Sequence, residues 1–185
     1  MAERVGQLFL ITFRGREVGR NDPITDLVLN YKVGGLVLLA NNDNIGGAEG
    51  TTPQQVAELT NQLQMVSTIG ERAFITDTVR GDDRLPAPTL PATGTQIPLF
   101  IATQHEGDGP PYSQIYSGLT EIPSAMAIGA TWQPDLAEDV GQVVGRELAA
   151  LGINFLLGPS LDVLESPSPE SPGDLGIRSF GGDPY

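Results

Sequence analysis

The sequence predicts an α/β domain built on a parallel sheet. Three observations carry this. Four short apolar runs, 7–13, 36–40, 98–103 and 153–157, have the length and bounding of buried strands. The segments 23–33, 52–66 and 134–151 between them repeat apolar residues at helical spacing behind Asp-Pro, Thr-Pro or Pro starts. The resulting order, β-α-β-α-β-α-β, calls for parallel strands joined by right-handed crossovers.

Gln7 to Phe13 reads as a first buried strand, left through Arg14-Gly15-Arg16. Asp22-Pro23 starts a helix, with Asp as N-cap and Pro in the first turn. Ile24, Leu27, Val28 and Tyr31 form its stripe, and Gly34-Gly35 closes it before the second strand at Leu36 to Ala40. After an Asn/Gly-rich loop, Thr52-Pro53-Gln54-Gln55 carries the pattern of a capping box. Val56, Leu59, Leu63 and Val66 face the core from that helix. Residues 76–97, with Asp82-Asp83-Arg84 and several prolines, read as an irregular insertion. Pro98 to Thr103 is the third strand, and 104–130 a long loop rich in turn residues. Pro134 opens the strongest helix, with Leu136, Val140, Val144, Leu148 and Leu151 on one stripe. Gly152 ends it as a residue that takes positive φ without strain. Ile153 to Leu157 then reads as a strand buried on both faces.

The chain of 185 residues suffices for one domain with a sizeable core. Its net charge of −13 speaks against nucleic acid and anionic membranes, which a basic patch would serve, and suits a neutral ligand such as a sugar. Cysteine is absent, which excludes disulfides, a thiol nucleophile and Cys-based zinc sites. No apolar run reaches the roughly 20 residues of a membrane span. Glu3, Arg4, Gly6 and Gln7 break any signal-peptide core at the start, so a soluble protein is expected.

In a parallel α/β sheet, ligands gather beyond the C-terminal ends of the strands. Two loops stand there. Gln104-His105-Glu106-Gly107-Asp108 follows the third strand, and the turn Gly158-Pro159-Ser160-Leu161-Asp162-Val163 follows the fourth. A Pro/Ser/Glu-rich stretch then leads to Ile177-Arg178-Ser179-Phe180-Gly181-Gly182-Asp183-Pro184. Arg178 is the last cation of an acidic chain and calls for an assigned partner. Its planar fork can hold adjacent sugar hydroxyls or form an ion pair with Asp162, Asp174 or Asp183. Asp162 either lines the pocket or caps a turn. His105 is the only histidine, so no second imidazole is present to share a metal, and no metal or cofactor is expected. Gly-x-Ser-x-Gly is absent, which removes the usual serine-hydrolase pattern. Asn41 to Gly46 superficially suggests a calcium loop, but Ile45 fills a ligand position and Thr52 stands where the closing Glu belongs. Arg80-Gly81-Asp82 and the acidic pair Glu138-Asp139 are read as a chance tripeptide and a solvated helix face.

Several of these segments, taken in order, resemble the N-terminal catalytic domain of family 3 glycoside hydrolases. Val5-Gly6-Gln7-Leu8-Phe9 is similar to that family's opening, Val33 to Leu38 to its second strand, and Ile122-Pro123-Ser124-Ala125-Met126 to its proline-serine-alanine-methionine turn. The Pro-x-Leu-Asp-Val turn and Arg178-Ser179-Phe180 complete the match, and the short Arg-Ser-Phe form resembles the β-N-acetylhexosaminidase branch. The resemblance implies a TIM-barrel-like (β/α)8 fold, of which about four βα units are expected in residues 1–185, as part of a longer chain. A small, complete doubly wound domain is the alternative.

The resemblance further implies an exo-acting, retaining β-glycosidase, of β-N-acetylhexosaminidase or β-glucosidase type, acting on a carbohydrate. The family's nucleophilic Asp and its acid/base group lie on later motifs, so no catalytic residue is expected here, and the chain alone is expected to be inactive. Its partner would be the remainder of its own barrel. The substrate-binding residues so implied are Arg178, Gln104, Glu106 and Asp162. The family's loop reads Val-Asp-Gln-Glu-Gly-Gly-Arg; here Gln104 replaces the Asp, His105 stands at the Gln, Asp108 replaces the second Gly, and Pro110-Pro111-Tyr112 takes the place of the Arg. Those departures also leave open a non-catalytic carbohydrate-binding or structural domain.

Overall fold

A computed structural model describes residues 2–48, 50–74, 97–107, 109–110, 112–163 and 176–182. Within them lie α1 (Ala2–Gly6), β1 (Leu10–Thr12), α2 (Pro23–Leu29), β2 (Gly35–Val37), α3 (Thr52–Ile69), β3 (Phe100–Thr103), α4 (Ala125–Gly129), α5 (Pro134–Ala150) and β4 (Phe155–Leu156). The irregular insertion through residue 96, the Pro/Ser/Glu-rich stretch 164–175, and Asp108, Pro111, Asp174, Asp183 and Pro184 fall outside the described residues.

The four strands form one sheet in the order β1-β2-β3-β4, and all pairs are parallel. Leu10, Gly35 and Phe100 share one row, and Ile11, Leu36 and Ile101 the next. Side chains alternate across a strand. The Ile11 row therefore faces the helices, where Leu36 and Ile101 pack with Val28, Leu59, Leu63 and Leu148. The opposite face is apolar and open: Leu10, Phe100 and Phe155 are exposed, and the two phenyl rings meet edge to face at 5.7 Å.

The strands are shorter than their apolar runs, for physical reasons. Gln7 to Phe9 lies outside β1; its start continues a short helix, with Leu8 and Phe9 N–H groups bonded to the carbonyls of Val5 and Gly6. Neither β1 nor β4 is buried on both faces, because Leu10 and Phe155 sit on the open side. Ahead of β4 the Asn154 side chain does a strand's work: its Oδ1 accepts from Ile101 N at 2.7 Å and its Nδ2 donates to Leu99 O at 3.0 Å.

Two helix starts also differ from expectation. Gln55 does not close a capping box. Its Oε1 accepts from Gly46 N and its Nε2 donates to Asn44 O, so it ties α3 to the preceding loop. Asp22 accepts from Gly19 N instead of capping α2. In the calcium-like loop, the buried Asn44 side chain bonds Phe13 O, Gly15 O and Leu39 N, which is a structural role. Among the described residues no helix is long and apolar enough to cross a membrane.

Candidate active site

The loop after β3 and the turn carrying Arg178 meet beyond the C-terminal end of the sheet. Arg178 closes a short 3-10 turn at Gly176–Arg178. Its Nε and Nη2 donate to Glu106 Oε2 and Oε1 at 2.7 and 2.9 Å, a bidentate fork on a carboxylate. The Glu106 side chain is 3% exposed and that of Arg178 15%. The guanidinium carbon also stacks 3.9 Å from the centre of the Tyr112 ring.

Among the described residues Arg178 thus pairs with Glu106 and not with Asp162. Asp162 is exposed, and among the described residues its carboxylate meets only the Ser160 hydroxyl, at 3.4 Å. Its backbone carbonyl accepts from the buried Ser179 hydroxyl, so this residue anchors the Arg178 loop through the main chain. Gln104 lies two residues before Glu106. Its carbonyl accepts from Gln114 N at 3.0 Å, and among the described residues its half-buried side chain has no hydrogen-bond partner. Of the four implied sugar ligands, Glu106 and Arg178 are brought together, Gln104 stands nearby in sequence, and Asp162 is set apart by its exposure.

Three supporting residues carry no sequence signal of their own. Ser113 Oγ accepts from Glu106 N and Gly107 N at 3.1 and 3.0 Å, which fixes the backbone below the carboxylate. Gln114 Oε1 accepts from Ala40 N, joining this loop to the exit of β2. Tyr112 provides the ring under Arg178, from the Pro110-Pro111-Tyr112 segment that replaces the resembled family's arginine. Gly158 completes the packing. Its φ is +143°, and a Cβ there would lie 3.0 Å from Glu106 Oε1, so the exit of β4 passes the carboxylate only as glycine.

His105 points elsewhere. It is buried and neither ring nitrogen has a hydrogen-bond partner among the described residues. Burial pushes its pKa below the ordinary 6.5, and Glu147 on α5 opposes that only in part. The unfolded chain therefore binds a proton that the folded one resists. Stability is expected to be full above pH 6.5 and to fall as pH drops from there toward the folded value. Thermal unfolding across that range checks this, and His105→Gln is expected to remove the dependence. A profile unchanged by the substitution would assign the slope to carboxylates.

The sequence of residues 1–185 matches the family model described as the glycosyl hydrolase family 3 N-terminal domain. The chain belongs to glycoside hydrolase family 3. It is 30% identical over 164 residues to Beta-hexosaminidase A of Pseudoalteromonas piscicida, covering 87% of this chain and 22% of that protein. A family 3 β-N-acetylglucosaminidase from Paenibacillus sp. str. FPU-7 shares the fold with a TM-score of 0.70 and 31% identity, over 98% of this chain and 27% of that one. A β-N-acetylhexosaminidase from Beutenbergia cavernae gives a TM-score of 0.67 at 27% identity, over 98% of this chain and 45% of that one. The chain thus spans less than half the length of these relatives. The fold class is accordingly the TIM-barrel-like α/β class expected, with four parallel strands among the described residues.

Proposed function

We propose that residues 1–185 form the sugar-binding half of the catalytic barrel of a retaining, exo-acting β-glycosidase. The substrate would be a β-N-acetylhexosaminide, and the nucleophile and acid/base would be supplied from outside these residues. The observation that carries the reading is the Arg178 fork, held rigid by Glu106 and Tyr112 beyond the strand ends, in a chain of this family. Arg178 orients sugar hydroxyls, Glu106 holds Arg178 in register, and Gln104 contributes neutral hydrogen bonds. The open apolar face of Leu10, Phe100 and Phe155 supports a barrel interior that further strands would cover.

Hydrolysis with retention needs two carboxyl-type groups about 5–5.5 Å apart. Glu106 is committed to Arg178 through both oxygens and is not offered as either. The 185-residue chain alone is therefore expected not to hydrolyse aryl β-glycosides. A chain extended through the nucleophile is expected to prefer p-nitrophenyl N-acetyl-β-glucosaminide over the β-glucoside, with anomeric retention seen by NMR. Turnover by the short chain that disappears on Glu106→Gln would overturn the assignment.

In the extended chain, Arg178→Ala is expected to lower kcat/KM about ten- to hundredfold, the loss of charge-assisted hydrogen bonds worth roughly 1.5–3 kcal/mol. Arg178→Lys recovers only part, since an ammonium lacks the fork. Thermal unfolding of each variant, measured alongside, separates lost contact from lost fold. A second reading, a carbohydrate-binding domain without turnover, draws on Gln104 standing where the resembled family has an Asp. It predicts sugar binding by an extended chain that never hydrolyses.

A further inference from the structure

The only tryptophan of the chain stands on the elbow between α4 and α5 and is 83% exposed. So large an apolar side chain is ordinarily covered for the most part. Here the elbow fixes it in the open. Trp132 N donates to Gly129 O at 3.1 Å, and the Thr131 hydroxyl donates to Ile128 O while accepting from Gln133 N. Trp132 itself takes a φ of +54°, a left-handed conformation uncommon for a bulky side chain. The indole lines a cleft of about 340 Å³, with Gln133 and Pro134 next to it in sequence. Phe180, Gly181 and Gly182 line it from the segment that carries Arg178. Gln104, Glu106, Tyr112 and Arg178 do not, so the cleft is separate from the Arg178 face.

The lining defines the chemistry of an occupant. No charged residue is among the described lining residues, so an ionic ligand would find no counter-charge. What the cleft offers is a broad π face and a few neutral polar groups. The indole N–H is a donor, and the Gln133 amide is both donor and acceptor. Among the described residues neither has a hydrogen-bond partner, and both side chains are exposed. The face of an aromatic ring is electron-rich and draws weakly positive C–H groups onto it. A pyranose carries such C–H groups on its flat face and hydroxyls around its rim. Stacking on Trp132 would bring that rim to the Gln133 amide. The volume lies at the small end of ligand pockets, which run from about 300 to 1,000 Å³, enough for one ring and not for a chain of sugars.

We propose that the Trp132 cleft binds one neutral pyranose ring, stacked on the indole and hydrogen-bonded by Gln133. In a chain of a glycoside hydrolase family this is a second sugar contact, outside the Arg178 face. Phe180 and Gly181 follow Arg178 by two and three residues, so an occupant also bears on the segment that carries Arg178. The site stands on its own lining and does not depend on Arg178 holding a sugar.

A single tryptophan makes intrinsic fluorescence a probe of this site alone. The 185-residue chain is titrated with N-acetylglucosamine in one arm, glucose in another and sorbitol, which has no ring face, in a third. A saturable change with at least one pyranose is expected, with a dissociation constant on the order of millimolar, as suits a ligand of about a dozen heavy atoms. Sorbitol is expected to give none. By saturation-transfer NMR, Trp132→Phe keeps the binding and Trp132→Ala weakens it at least tenfold. Thermal unfolding of Trp132→Ala is expected to match the parent, since the side chain is largely exposed. Gln104→Ala is expected to leave the fluorescence change in place. No saturable change with either pyranose, or an equal change with sorbitol, overturns the proposal. A change abolished by Gln104→Ala overturns it as well, because the sugar would then sit on the Arg178 face. So does an extended chain whose Trp132 is shielded from acrylamide without sugar, because the cleft would then be covered by the rest of the protein.

Discussion

Glu106→Ala is expected to destabilise the chain by about 3–5 kcal/mol, because it removes one partner of a largely buried, bidentate ion pair. For a domain of this size that lowers Tm by roughly 6–20 °C. The cost comes from desolvation more than from the attraction itself. The guanidinium has already given up water for Glu106 and the Tyr112 ring. Arg178→Ala carries a similar cost from the other side. The double variant is therefore expected to lose markedly less than the two single losses combined, a coupling readable from a double-mutant cycle. A Glu106→Ala loss under about 1 kcal/mol, or strict additivity, would show that the pair is solvated and does not define the loop.

That pair marks the limit of what the sequence discloses. Strand order and direction were legible because they follow from local pattern: apolar runs of strand length alternate with capped, amphipathic segments, and such alternation has few foldings. The need of Arg178 for a partner was legible too, from its isolation in an acidic chain. Which carboxylate it would take was not. Glu106 lies 72 residues away, and the choice among so many acids depends on how the β3 and β4 exits face each other. Short elements escaped for the opposite reason. The helix α4 is five residues long, and its only local sign is Ser124, whose hydroxyl accepts from Ala127 N. Gln55 misled because a capping glutamine and one that bonds a neighbouring loop are the same residue at the same spacing; only the position of Asn44 and Gly46 decides. At His105 the sequence showed a lone imidazole, while its burial is a property of packing.

Gly129→Ala is expected to damage the site from a distance, by displacing the segment that carries Arg178. Gly129 is the last residue of α4, and an added Cβ would lie 1.8 Å from the backbone oxygen of Phe180 and 2.8 Å from its carbonyl carbon. The obstacle is main chain, so no rotamer change relieves it. Ser179, between Phe180 and Arg178, is fully buried and bonded to Asp162 O and Gly181 O, which leaves the segment little room to retreat. Overpacking of this kind costs about 1–3 kcal/mol, or roughly 2–12 °C in Tm for a domain of this length. Because the forced shift begins two residues from Arg178, kcat/KM of an extended chain is expected to fall further than the loss of stability explains. The same substitution at Gly141 provides the control. It lies inside α5 with nothing within 4 Å of its added Cβ. There alanine removes backbone freedom from the unfolded chain at no steric cost, and a gain of about 0.5–1 kcal/mol is expected. If Gly129→Ala instead matches Gly141→Ala in both Tm and activity, α4 does not press on the Phe180 segment and does not position the Arg178 loop.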